Sequence, residues 1–450
     1  MRYLGLAPRN LLVVLVLAMA LAAGPVCAQP QADSEQPAPA EKTAKETDVG
    51  RTALLLPSKL VQAPLNLFEG GLKETLDFIE GKRLVDKLQY YVRYLNDRGV
   101  YPSAYSLGDG SGVGAGVRVR RSPTGVGCLG LAAGVTTKLY QSYQAQAALP
   151  LCGGRLALST RAGWQYRPEE EFYGIGPETT TATRSDYLLK DGFFEGATRL
   201  GCPRLLQAAV AVRYDIFQTS PGQDSGVRSI QDVFTPAEVP GLLQSINLVS
   251  GGFTILHDSR DWPEVPTTGG FQQLTANIFH DPSDDRFDFY RARLDLEQLL
   301  PFSSLKHAFL VRAFAEVNQP VSDSDQVPFF MLAKLGGSYW LRGFHELRYY
   351  DERAVTWSLE YRYRIWSRAD AFLYVDQGEV FGSKKDFSAG DIATSGGGGF
   401  MIRNFGFRHS EDIVSGGPAY VAAQEHLFFK LLIGATGEGI RPFVIFGTFI

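Results

Sequence analysis

The sequence predicts an all-β protein, a sixteen-stranded antiparallel transmembrane β-barrel preceded by a short helical segment, and three observations carry that prediction. From Val100 to Ile450 apolar and polar residues alternate at period two in short runs, the signature of strands with one face buried and one wet. Clusters of Gly, Pro, Asp and Ser punctuate the runs, as turns require. The 351 residues from Val100 onward hold no central helical pattern, and soluble single β domains seldom run so long.

The chain opens on Arg2 and Arg9, an apolar run from Leu11 to Ala23, then Gly24-Pro25 and Val26-Cys27-Ala28. This is the layout of a secretory signal peptide, 1–28, cut after Ala28. Its apolar run falls short of the ~20 residues of a membrane helix, and Val26 before Cys27 argues against a lipid anchor. Residues 29–50 are Pro, Glu, Ala, Lys and Thr with almost nothing apolar, which predicts a disordered linker. Residues 51–99 form a short helical periplasmic or plug segment: Leu65, Phe68, Leu72, Leu76 and Ile79 recur every three or four positions on one helical face. After Gly81, Leu84, Val85, Leu88, Val92 and Leu95 either prolong that helix or form a second one.

Residues 100–450 make the barrel. The alternation predicts strands near 100–107, 112–121, 125–137, 139–149, 154–166, 187–199, 204–216 and 248–258. Eight more follow near 269–280, 286–299, 305–317, 353–366, 369–381, 394–404, 424–434 and 441–450. In the twelfth, Val355, Trp357, Leu359, Tyr361, Tyr363 and Ile365 share one face, and Thr356, Ser358, Glu360, Arg362 and Arg364 the other. A soluble sandwich turns its apolar faces inward; a membrane barrel turns them outward to lipid and encloses its charges. The long connections 167–186, 220–249 and 318–352 all fall on the outer side of such a barrel, with 405–423 a long exception on the inner side. Phe172-Tyr173-Gly174-Ile175-Gly176 opens one outer loop, where aromatics commonly meet the membrane interface.

The connection after the eleventh strand contains Leu341-Arg342-Gly343-Phe344, and the thirteenth strand contains Tyr374-Val375-Asp376-Gln377-Gly378. On these two motifs the sequence resembles the bacterial surface antigen family, the BamA/TamA superfamily. Asp258-Ser259-Arg260-Asp261, with Pro266 and Gly269-Gly270, is similar to that family's mid-barrel turn. Phe446-Gly447-Thr448-Phe449-Ile450 is similar to its C-terminal strand signal, with Ile450 where an aromatic is usual. The resemblance implies a loop folded back into the lumen, with an Arg-Gly-aromatic tip against the wall. A buried guanidinium needs an acceptor, and Asp376 can take two parallel bonds from Arg342; the other reading leaves Arg342 in water at the loop tip. If the two pair, reversing both charges together should recover part of what either single change loses.

The resemblance further implies an outer-membrane address in a Gram-negative bacterium, contact with outer-membrane lipids, and work on client polypeptides or with a separate periplasmic partner. Family members usually carry POTRA domains ahead of the barrel, and 51–99 is too short and too helical for one, so a member lacking them is expected. Two functions stay open: assisting insertion or translocation of polypeptides, and a passive pore or structural surface protein. An enzyme is not expected, nor a cofactor, a metal site or a nucleic-acid partner. The six histidines lack metal spacing, His409-Ser410 has no legible acid partner, and Gly110 to Gly116 has no helix after it to make a nucleotide loop and suits a hairpin. Lys+Arg of 44 against Asp+Glu of 48 leaves no basic surplus for phosphates. Cys128 and Cys152 come nearly opposite if the third and fourth strands turn near Tyr140, which leaves a cross-strand disulfide and two free thiols as alternatives.

Overall fold

The computed structural model describes Tyr91, residues 94–402 and residues 428–447, apart from 109, 123–126, 202–205, 262–265, 284–285, 303–305, 367–368, 384–385 and 389. The expected signal peptide, the linker, nearly all of the 51–99 segment, the long inner connection and Thr448 to Ile450 lie outside the described residues. Tyr91 and residues 94–96 are helical. The chain divides into units Met1–Tyr94 and Leu95–Ile450, and the strands belong to the second.

That unit is built from strands β1 (Val100–Tyr105), β2 (Gly114–Arg121), β3 (Cys128–Thr136), β4 (Gln141–Leu151), β5 (Leu156–Phe172), β6 (Ser185–Gly201) and β7 (Gln207–Pro221). A two-residue strand β8 (Arg228–Ser229) precedes β9 (Ser245–Asp258), β10 (Gly270–His280), β11 (Phe289–Phe302) and β12 (His307–Pro320). Two short strands, β13 (Ala333–Leu335) and β14 (Tyr349–Asp351), lie in the next connection. Then come β15 (Arg353–Trp366), β16 (Ala369–Phe381), β17 (Ala393–Ile402), β18 (Phe428–Thr436) and β19 (Gly439–Gly447).

Among the described residues, β13 pairs with β14 and the others form one 17-stranded sheet. Within it β8 is a parallel addition to β6; the remaining sixteen run as an antiparallel meander, and each overlaps a run of the sequence pattern. β1 and β19 approach within 8 Å, but no register pairs them among the described residues. The Gly-rich stretch after Gly110 is a hairpin, with Tyr105 opposite Gly114.

The polarity of the sheet is inverted relative to a soluble protein. On β15, Trp357 and Leu359 are 46% and 42% exposed, while Ser358 and Glu360 are 1% and 0% exposed. β7 repeats this: Val210, Val212 and Ile216 are exposed and Asp215 is buried. The outward face therefore suits hydrocarbon, and the charges are enclosed and paired, as in Arg161 to Glu195 at 2.8 Å and Arg213 to Asp215 at 2.7 Å.

Two expectations need correction. Phe172 and Tyr173 are fully buried: Phe172 meets Phe234, Phe329 and Tyr350 edge-on at 5.1–5.2 Å, inside an apolar cluster under the connecting loops. Cys128 lies opposite Ala148, not Cys152, and both thiols are free. The turn centres near Lys138, two residues before Tyr140, so Cys128 meets Ala148 and Cys152 comes four residues farther along the chain. Four residues at ~3.4 Å each put the cysteines roughly 14 Å apart along the strand, beyond the ~7 Å limit of a bridge. Alkylation of the denatured chain without reductant should therefore label Cys128 and Cys152; labelling of both only after reduction would overturn this assignment.

Candidate functional site

The site is built from the connection between β12 and β15. Its stem is the hairpin β13–β14, in which Ala333 faces Asp351 and Leu335 faces Tyr349. Gly336, Gly337 and Gly343 take positive φ, as does Leu341 at 59°. A branched aliphatic residue seldom adopts that conformation, and where it does the surroundings enforce it. Here Leu341 is fully buried against Phe314, Leu335, Phe344 and Val380. Leu341 and Phe344 are thus apolar pegs on either side of Arg342, and they set its side chain against the inner face of the sheet.

Arg342 is 0% exposed. Its backbone N–H and Nε donate to Asp376 Oδ2 at 2.9 and 2.8 Å, and Nη2 donates to Asp376 Oδ1 at 2.7 Å. Nη2 also reaches Ser358 Oγ at 2.9 Å, and Nη1 donates to Glu360. The guanidinium plane lies over the Tyr374 ring, 3.7 Å from its centroid. The motif pair anticipated from sequence therefore meets, as a bidentate fork. Burial pulls the Arg342 guanidinium down, but Glu360 and Asp376 together hold it above its ordinary range.

Three contributors had escaped the sequence reading. Glu360 and Ser358 sit on β15, where Ser358 faces Asp376 across the ladder; their signal was the wet face of the alternation beside the motif strand. Gly434 on β18 is the third. A Cβ there would stand 2.4 Å from Gly343 Cα, so two glycines let the loop tip lie directly on the wall. Arg441 of β19 donates to the Gly343 carbonyl at 3.3 Å. Gly378 does not touch Arg342; a Cβ on it would meet Thr356 at 2.8 Å, so its part is to let β15 and β16 pack. Phe446 and Gly447 end β19 opposite Phe429 and Phe428, whereas Phe449 and Ile450 lie outside the described residues.

Farther up the loop, Arg348 donates to Glu438 at 2.6 Å and to Thr179 Oγ1 at 2.8 Å, and Tyr350 donates to the Glu171 carbonyl at 3.0 Å. The loop is thereby tied to the β5–β6 connection and to the β18–β19 turn. No group of residues suited to a metal occurs among the described residues.

Outward apolar strands, enclosed charge and a loop clamped to the polar face of the sheet define a membrane β-sheet protein. The chain belongs to the Omp85 superfamily: the Omp85 superfamily domain matches residues 129–404. Members of that family are outer-membrane proteins of Gram-negative bacteria. Among solved structures the chain is similar to BamA from Haemophilus ducreyi lacking POTRA domains 1–3, with a TM-score of 0.55 at 13% identity over 78% of this chain and 70% of that one. CdiB from Escherichia coli gives a TM-score of 0.47 at 11% identity, over 77% of this chain and 61% of that one. CdiB from Acinetobacter baumannii gives 0.43 at 12%, over 77% and 58%. No curated protein matches.

Proposed function

We propose that this chain closes as a sixteen-stranded barrel in the outer membrane of a Gram-negative bacterium and assists insertion or translocation of polypeptides there, with lipids and a client polypeptide or separate periplasmic partner as its associates. The observation that carries this reading is the clamp of Arg342 on Asp376 and Glu360, which fixes a long loop inside the barrel next to β18 and β19. A structure that spends a buried arginine and two buried carboxylates on holding a loop against one wall suits a wall that must be braced while its neighbour moves. That neighbour is the seam of β1 and β19. β1 spans only six residues and contains Pro102, which cannot donate to a ladder.

The rival, a passive pore, fits less well, because the loop is held by Arg342 against the polar face of the sheet and its outer part packs into an apolar cluster with Phe172, Phe329, Phe330 and Tyr350. The chemistry of the interior is that of bracing and ion pairing, and we assign it no catalytic residue and no cofactor.

The test reconstitutes the mature chain alone in liposomes and in planar bilayers, and offers an unfolded outer-membrane barrel protein as client. We expect faster client insertion than in empty liposomes and no steady large conductance. A steady open channel with no effect on the client would sink the proposal and favour the pore.

A further inference from the structure

A second element reaches the polar face of the sheet from the opposite end, residues 259–261 and 266–269 of the β9–β10 connection. Its shape is held from within. Ser259 N–H donates to the Gly270 carbonyl at 2.9 Å, and Asp261 Oδ1 accepts the backbone N–H groups of Thr267 and Thr268 at 2.7 and 3.0 Å. Gly269 has φ +91°, and a Cβ on it would stand 2.2 Å from the Ser259 carbonyl oxygen. Arg260 forks onto Asp258 at 2.8 and 2.9 Å, reaches Glu297 at 3.4 Å, and lies over the Phe271 ring at 4.3 Å. Pro266 is buried, and its carbonyl accepts from Arg362 Nη1 at 3.1 Å.

Arg362 lies on β15, two residues from Glu360 and on the same face, and its Nε donates to Glu360 Oε1 at 2.7 Å. Glu360 gives its other oxygen to Arg342. An unbroken chain of hydrogen bonds therefore runs from the Pro266 carbonyl through Arg362 and Glu360 to Arg342 and Asp376. Both carboxylates in it are almost fully buried, so displacing one partner leaves a charge for which no solvent compensates.

We propose that Arg362 couples the two elements, so that displacement of the Pro266 to Gly269 segment at the inner end of the sheet loosens the Arg342 tip of the loop that comes from the other end. Arg362 is a positioning residue: it can serve both partners because its guanidinium is a rigid planar fork, which a lysine ammonium is not.

Hydrogen exchange of the folded chain in nanodiscs, read at the Arg342 and Gly343 amides, tests this without any client, so its outcome is separate from that of the function assay. Gly269→Ala disturbs only the turn; we expect it to speed exchange at both tip amides about ten-fold, as a coupled pair should. In an Arg362→Lys background the ammonium still neutralises Glu360 but releases Pro266, and the effect of Gly269→Ala on the tip should fall below roughly two-fold. If Gly269→Ala gives no folded band, Asp261→Ala, which removes the acceptor of the Thr267 and Thr268 amides, takes its place. Faster exchange at Thr267 and Thr268 with none at Arg342 and Gly343, or an undiminished effect in the lysine background, would overturn the coupling.

Discussion

Replacing Arg342 with alanine should lower the temperature at which the folded band disappears on unheated gels, and should open the 321–352 loop to external protease. The substitution removes every donor that Asp376 Oδ1, Asp376 Oδ2 and one oxygen of Glu360 receive from the Arg342 side chain. Breaking one side of a buried ion pair costs about 3–5 kcal/mol, which for a domain of this size is on the order of 10 °C. Arg342→Lys should rescue only part, because one ammonium cannot serve Asp376, Glu360 and Ser358 together. The contact with Glu360 changes what charge reversal should give. Exchanging charges as Arg342→Asp with Asp376→Arg would set a new carboxylate beside Glu360, so the double variant should be no better than the single one until Glu360→Gln is added. Unchanged heat resistance and loop protection in Arg342→Ala would show that the clamp does not hold the loop.

How far the sequence reached depends on which physics is local. The period of two survives through β7, β11 and β12, because a one-residue slip would carry charges to the lipid face and apolar groups to the interior. Strand placement was therefore legible, and so was the loop motif, since an arginine committed to the interior demands a partner. Glu360 was harder to identify as part of the site. Its parity on β15 was plain, but its meeting with Arg342 depends on Ser358 lying opposite Asp376, and ladder register is a tertiary fact. The pairing of the cysteines turned on the same kind of fact: the turn centres near Lys138 rather than Tyr140, which sets Cys128 opposite Ala148 and selects the free-thiol alternative. Phe172 misled because an aromatic at a strand end suits a lipid interface as well as an apolar cluster. What decides between them is the Phe329 and Tyr350 contact, made across more than 150 residues of chain.

Gly434→Ala should release the same loop without altering any charge, which makes it the sharper test of how the tip is seated. The new Cβ would stand 2.4 Å from Gly343 Cα, 2.6 Å from the Tyr374 hydroxyl and 2.9 Å from Gly343 N. Carbon atoms in contact keep ~3.5–4.0 Å apart, and two of those three neighbours are backbone, so the tip must lift by about 1 Å. A lift of that size stretches bonds of 2.7–2.9 Å between Arg342 and Asp376 past hydrogen-bonding range. Overpacking of this kind costs about 1–3 kcal/mol, so heat resistance should fall by less than in Arg342→Ala, while protease access to the loop should rise comparably. Gly396→Ala on the neighbouring strand is the control: its Cβ would meet only the Tyr374 carbonyl at 3.6 Å, an ordinary contact. If Gly434→Ala matched Gly396→Ala in both measurements, the loop would rest on its ion pairs alone and the glycine contact would be incidental. If Gly434→Ala alone loosens the loop, the bare backbone of β18 is what lets the arginine reach its acids, and the wall beside the seam and the loop tip form one mechanical unit.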